Sequence, residues 1–182
     1  MLRTKDILDE KDPRVRAKNT DVDFPLNDEY KDIIPEMLKH LRYSQIEKLS
    51  KKYDLRPGMG LAAPQLGINK NFFVVCYEVK DGVFDDYILI NPKVISYSEE
   101  MIYAGEGEGC LSVNRDVEGI VPRHARITVE AYDLDGNKRK YRVREDLAIA
   151  FQHELDHLNG ILFVDYIDPK DPYKNADLYR EI

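Results

Sequence analysis

"RITVEAYDLDGNKRKYRVR", residues 126–144, is the stretch that decides the architecture. Ile127, Val129 and Ala131 alternate with polar neighbours, Tyr141 and Val143 do the same on the far side, and Asp135-Gly136 sits between. Period-two alternation around an Asp-Gly pair reads as a β-hairpin with one dry face and one wet face. A helix is expected directly after it, from about Glu145 to Asn159. Glu145 and Asp146 in its first turn suit the helix dipole, and Gly160 is placed to end it.

Upstream, "NFFVVCYEV" (71–79) and "DYILINPKVISY" (86–97) are β-rich runs joined through Asp81-Gly82, a second hairpin. "RPGMGLAAPQLGI" (56–68), dense in Gly and Pro, reads as a loop or an irregular edge strand. Between Asn27 and about Tyr53, Ile33, Ile34, Met37, Leu38 and Leu41 recur at helical spacing, with Asn27 able to cap. Pro35 predicts either a kink there or a helix that begins near it. Residues 1–26 read as a short helix followed by a loop. The fold class expected is α+β: a single domain over 1–182, with antiparallel sheets packed around a C-terminal metal-binding helix, plus an N-terminal helix.

The chain has 182 residues, with 27 basic against 34 acidic side chains and a net charge of −7. That balance gives no overall attraction to nucleic acid or to an anionic membrane. No basic cluster stands out as a docking surface, and no direct nucleic-acid contact is expected. The charged start "MLRTKDILDEKD" and the absence of a long apolar run predict a cytoplasmic protein without membrane contact. Two cysteines, Cys76 and Cys110, are too few for a disulfide framework.

"FQHELDHLNG" (151–160) carries the chemistry. A helix advances about 100° per residue, so His153 and His157 lie about 40° apart on one face and can reach one ion. Ile149 and Ala150 fall on the same side, and Leu147, Phe151, Leu155 and Leu158 form an adjoining apolar face, so the histidine face is not the wet one. A catalytic divalent site typically has three protein ligands and an open position. Cys76, in an apolar strand, reads as a small core residue, and His40 and His124 as surface residues. Cys110 lies in "GEGEGCLSVN" (105–114), where three glycines let the backbone approach something closely.

"GMGLAAPQ" (58–65), "EGCLS" (108–112) and "QHELDH" (152–157), in that order, resemble the three motifs of the peptide deformylases, with "VPR" (121–123) before a strand extending the likeness. The stretch before Gly58 is similar to the insertion of the longer class found in Gram-positive bacteria. The resemblance implies a hydrolase that removes the formyl group from N-formylmethionyl nascent polypeptides, monomeric and in contact with the ribosome where those chains emerge. It implies that Cys110, His153 and His157 hold one divalent metal, Fe2+ in the cell, with Zn2+ or Ni2+ able to replace it. Glu154, next to the ion without binding it, can act as general base and then acid. The Leu111 N–H, fixed by its place after the cysteine, and the Gln65 amide, by resemblance, would meet charge on the formyl oxygen. Gly58 and Gly60 suit an edge along which an extended peptide pairs, although turn formation alone would also explain them. Ile149 and Ala150 are expected in the methionine pocket. A zinc endopeptidase and a structural metal site on a binding module are the alternatives.

Overall fold

The computed structural model describes all 182 residues. In chain order the elements are α1 (Asp28–Gln45), α2 (Glu47–Tyr53), β1 (Gly60–Ala62), β2 (Phe72–Lys80), β3 (Val83–Tyr97), β4 (Met101–Tyr103), β5 (Arg123–His124), β6 (Arg126–Tyr132), β7 (Lys138–Arg144), α3 (Glu145–Leu158) and β8 (Arg180–Glu181), with short 3-10 turns between them. The five-stranded sheet has the order β1-β2-β3-β6-β7 and is antiparallel throughout; β5-β4-β8 form a small second sheet in which β8 runs parallel to β4.

The apolar run "FFVVC" is continuous because β2 is covered on both sides. Phe72, Val74 and Cys76 pack against Ile34, Met37 and Leu41 of α1. Phe73 and Val75, pointing the other way, join Val129, Ala131, Val143 and Phe151 under α3. The Phe73 and Phe151 rings meet edge to face, 5.7 Å between centroids. Full burial of each such side chain contributes about 1.5–3 kcal/mol, so α3 is held rigidly on the sheet. The α1 layer reaches only the β1–β2–β3 end. On that face of β6 and β7 Arg126, Lys138, Lys140, Arg142 and Arg144 are exposed, while Tyr132 packs at the margin of the α1 core.

Both hairpins turn where the Asp-Gly pairs stand, with Gly82 and Gly136 at positive φ. Asn27 caps α1, its Oδ1 accepting from Tyr30 N at 2.9 Å. The helix starts upstream of Pro35 and runs through it: the proline removes one backbone bond, while the burial of Ile34, Met37 and Leu41 keeps the turn in place. The break comes at Ile46.

Four expectations are corrected. Residues 1–26 contain two 3-10 turns, Thr4–Asp6 and Pro13–Arg16, and no α-helix, because Arg14 N bonds Asp12 Oδ1 and the segment is tied to distant backbone, Leu8 N to Gln65 O at 2.8 Å and Glu10 N to Ser112 O at 2.7 Å. His40 is fully buried on the inner face of α1, with Nδ1 3.2 Å from Leu2 O. His124 is half-buried, its Nδ1 2.7 Å from Ser98 O. A basic cluster does exist: the uncovered face of β6 and β7 gathers cations from three strands.

Candidate metal centre

α3 delivers two of the three ligand candidates because its apolar stripe fixes its rotation. With Ala148, Phe151 and Leu158 turned into the sheet, His153 and His157 point towards the loop 105–114. There the Cys110 sulfur and one ring nitrogen from each histidine lie within 4.8 Å of one another, Cys110 Sγ 3.3 Å from His157 Nε2. No other His, Cys, Asp or Glu joins this group. The Cys110 loop is clasped from outside by Arg56, whose Nη2 donates to the Cys110 and Val113 carbonyls at 3.1 Å each.

The electrostatics suit a cation. Burial, helped by the charges of His153 and Arg123, pushes His157 well below its ordinary pKa, so its ring is neutral and able to ligate. Burial alone would lower His153 too, but its bonds to Cys110 and Glu108 outweigh this and carry it well above the usual range. The two rings are thus driven apart, His153 towards its charged form by its acidic neighbours and His157 towards the neutral form. One thiol, two imidazoles and no fourth protein ligand is the donor set of an open divalent site.

Behind the histidines lies a buried ionic relay. Glu108 Oε2 sits 2.8 Å from His153 Nδ1, which leaves Nε2 for the cluster. Arg123 grips Glu108 with two bonds, 2.7 and 2.9 Å, and reaches Asp156 at 2.5 Å; Tyr166 donates to Asp156 at 3.0 Å and lies under the guanidinium. Burial would raise the Glu108 pKa, yet the bonds from His153 and Arg123 hold it at about 2. A charged carboxylate so far inside is tolerated only because it is paired on both oxygens.

Glu154 is different: 3% exposed, with Oε2 unpartnered. Burial above all, against the pull of His153 and Arg123, raises its pKa to about 7. A proton can therefore be held or released there near neutrality. Gly60 makes the room, since a Cβ there would run into the Glu154 carboxylate, and a Cβ on Gly58 would stand 2.8 Å from Leu111 Cδ1. Gln65, also buried, has its Oε1 accepting from Ala62 N at 2.9 Å, which aims Nε2 at Ser112 Oγ (3.1 Å) and towards Cys110 Sγ (3.6 Å).

Of the ten residues singled out in the sequence, nine line one cleft of about 330 Å³: Gly58, Gly60, Gln65, Cys110, Leu111, Ile149, Ala150, His153 and Glu154. His157 lies just behind them. Sequence reasoning passed over Arg56, Glu108, Ser112, Arg123 and Asp156. Glu108 and Arg123 stand inside the quoted motifs, and an acid two residues before the cysteine was the available signal; the partner that gives it a purpose lies 45 residues away.

The polypeptide deformylase family pattern matches residues 4–173. A peptide deformylase of Macrococcus caseolyticus is 50% identical over 175 residues, spanning 96% of this chain and 95% of that one. Peptide deformylase 2 of Bacillus anthracis is 45% identical over 177 residues, covering 97% and 96%. Among solved structures, the peptide deformylase from Thermotoga maritima superposes with a TM-score of 0.69 at 32% identity, over 90% of this chain and 97% of the other. A plant peptide deformylase, PDF1B, gives 0.74 at 30% identity, over 90% and 80%. With the likeness running through the hairpins, the cleft and the helix alike, the chain belongs to the polypeptide deformylase family.

Proposed function

We propose that this protein hydrolyses the formyl amide at the N-terminus of N-formylmethionyl nascent polypeptides and releases formate. The observation that carries this reading is the three-ligand cluster with an unpartnered, buried Glu154 carboxylate beside it. Cys110, His153 and His157 would hold one divalent ion, which when bound supplies Lewis acidity for the attack of water on the formyl carbon. Fe2+ is the physiological choice in this reading, with Zn2+ or Ni2+ as replacements; a thiolate and an oxidisable ion would make activity oxygen-sensitive.

Glu154 takes the proton of the attacking water and passes it to the leaving amine as the C–N bond breaks, so no net proton is consumed by the side chain. The Leu111 N–H and the Gln65 amide meet the charge that grows on the formyl oxygen. β1 is an edge strand of the sheet, so the substrate backbone can pair along Gly58–Gly60 as an added strand. Ile149 and Ala150 form the wall against which the methionine side chain rests. We read residues 1–182 as one deformylase domain, monomeric and cytoplasmic, working on chains near the ribosome; no helix is long and apolar enough to cross a membrane.

The test is anaerobic formate release from formyl-Met-Ala-Ser, with metal content measured on the same sample. Glu154→Ala should keep the metal and lower kcat by about 10²–10⁴. Metal bound without formate released in the unaltered protein, or cleavage of internal peptide bonds instead, would overturn the reading. A structural site is disfavoured because it would want a fourth protein ligand, and the cluster has three.

A further inference from the structure

Ile149, the buried part of the wall against which the methionine side chain would rest, has a second layer behind it. It belongs to a small apolar cluster with Ile102 and Ala125, all three buried, and Ala104 and Ile182 pack against that cluster. Ala104 and Ile149 also line the cleft. Ile182 reaches this place through β8, which runs parallel to β4 with Arg180 opposite Ile102 and Glu181 opposite Tyr103. The ladder continues one step further: Ile182 N donates to Tyr103 O, and Gly105 N donates to Ile182 O, both at 3.0 Å. The glycine-rich loop of Cys110 begins at that residue.

Side chains alternate along a strand, so Arg180 and Ile182 share the face turned to α3. Glu181 takes the other face, where it accepts from the Tyr103 hydroxyl at 3.1 Å. Arg180 grips Glu145 with two bonds, 2.8 and 3.1 Å, and Glu100 with a third at 2.8 Å. Glu145 is the first residue of α3 and holds a φ of +54°, a left-handed backbone that strains a residue with a side chain. Such a conformation persists where its neighbours over-determine it. Here the Arg180 fork is joined by Glu145 N, which donates to Ala125 O at 3.0 Å. Exposed ion pairs add little stability of their own; what this one fixes is the point from which α3 starts, one turn before Ile149.

We propose, resting on the deformylase reading and deepening it, that β8 sets the side-chain selectivity of the methionine pocket: Ile182, placed by the Arg180 fork, backs Ile149 and limits how far the pocket can widen. A slim, unbranched thioether chain is taken, and a broad ring such as that of phenylalanine is turned away because Ile149 has no space to retreat into. Interiors are close-packed, so carbon removed from behind a wall is felt in front of it. Ile182 touches the wall and not the substrate, which makes it a positioning residue. None of the three residues of β8 lies in the motifs around the metal ligands.

The experiment measures kcat and KM for formate release from formyl-Met-Ala-Ser and formyl-Phe-Ala-Ser with the metal-loaded protein and with Ile182→Ala, Ile182→Val and Arg180→Ala. In Ile182→Ala the kcat/KM ratio of the methionine to the phenylalanine peptide should fall about fivefold, with KM carrying most of the change. Ile182→Val and the surface variant Arg180→Ala, which threaten folding least, should each lower the ratio about twofold. A merely structural strand would lower the unfolding midpoint and leave the ratio where it was, and an unchanged ratio in the folded variants overturns the proposal. So does a ratio that falls through kcat together with loss of metal, since β8 would then be acting on the Cys110 loop through Gly105. No formate from formyl-Met-Ala-Ser with the unaltered, metal-loaded protein is a different failure: it removes the deformylase reading and the pocket with it.

Discussion

The two cysteines are both buried, Cys76 fully and Cys110 to within 7%, and yet they stand in regions of opposite character. Cys76 lies in the middle of β2, walled by Ile34, Met37 and Phe72, and burial pushes its thiol up to about 12. Cys110 lies in a glycine-rich loop, faced by His157 at 3.3 Å, with Ser112 N donating to its sulfur at 3.4 Å and its carbonyl clasped by Arg56. Burial alone therefore does not make a thiol inert. What separates them is the neighbours: Cys76 is closed in by the core, with Asp86 adding to the effect of burial on its thiol, whereas Cys110 faces two imidazoles that can share an ion with it.

The strongest way to break this comparison is to remove each sulfur in turn. Cys110→Ala should lose the bound metal and lower formate release by roughly three orders of magnitude or more, read by elemental analysis and by the formate assay; retention of full metal would mean that the loop sulfur is not a ligand. The contrast can be sharpened at Glu108, which gives the loop its buried charge. Glu108→Gln keeps an acceptor for His153 but leaves Arg123 with half its partners, so metal affinity should fall about 10- to 100-fold and the unfolding free energy by about 3 kcal/mol. Competition with a chelator and denaturant titration measure the two effects separately.

A smaller effect is expected on the cleft side. Ile149→Trp fills the wall next to the loop and should raise KM for formyl-Met peptides about tenfold with kcat nearly kept; an unchanged KM would remove Ile149 from the methionine pocket. Smallest of all, Cys76→Ala should leave metal and turnover intact and cost about 1 kcal/mol in stability. Thiol titration of the chelator-treated protein provides the companion reading: the Cys76 sulfur should react only after denaturation, since a pKa of about 12 leaves it protonated.

Why some of this was legible in the sequence follows from how local each signal is. The hairpin 126–144 and the helix after it are specified by neighbours within a few positions: alternation, Asp135-Gly136, the acids of the first turn and Gly160. The candidate ligand pair His153 and His157 is likewise one helical turn. Cys110 required only that a glycine loop be read as close approach. The relay was not legible, because Glu108, Arg123 and Asp156 come from a loop, a two-residue strand and a helix, and only the packing of α3 brings them together. His40 was misread for the same reason, its burial being set by how α1 meets β2 and the segment near Leu2. The basic face was half visible in "KRKYRVR" (138–144); Lys93 and Arg126 join it only once the strand register is known.

Gly60 has a further consequence. Any side chain larger than hydrogen at this position would have to push the Glu154 carboxylate aside, so a substitution here would displace the very group the chemistry depends on. A small inhibitor that rested its contacts on that bare ribbon, rather than on replaceable side chains nearby, would leave the organism little room to escape by substitution.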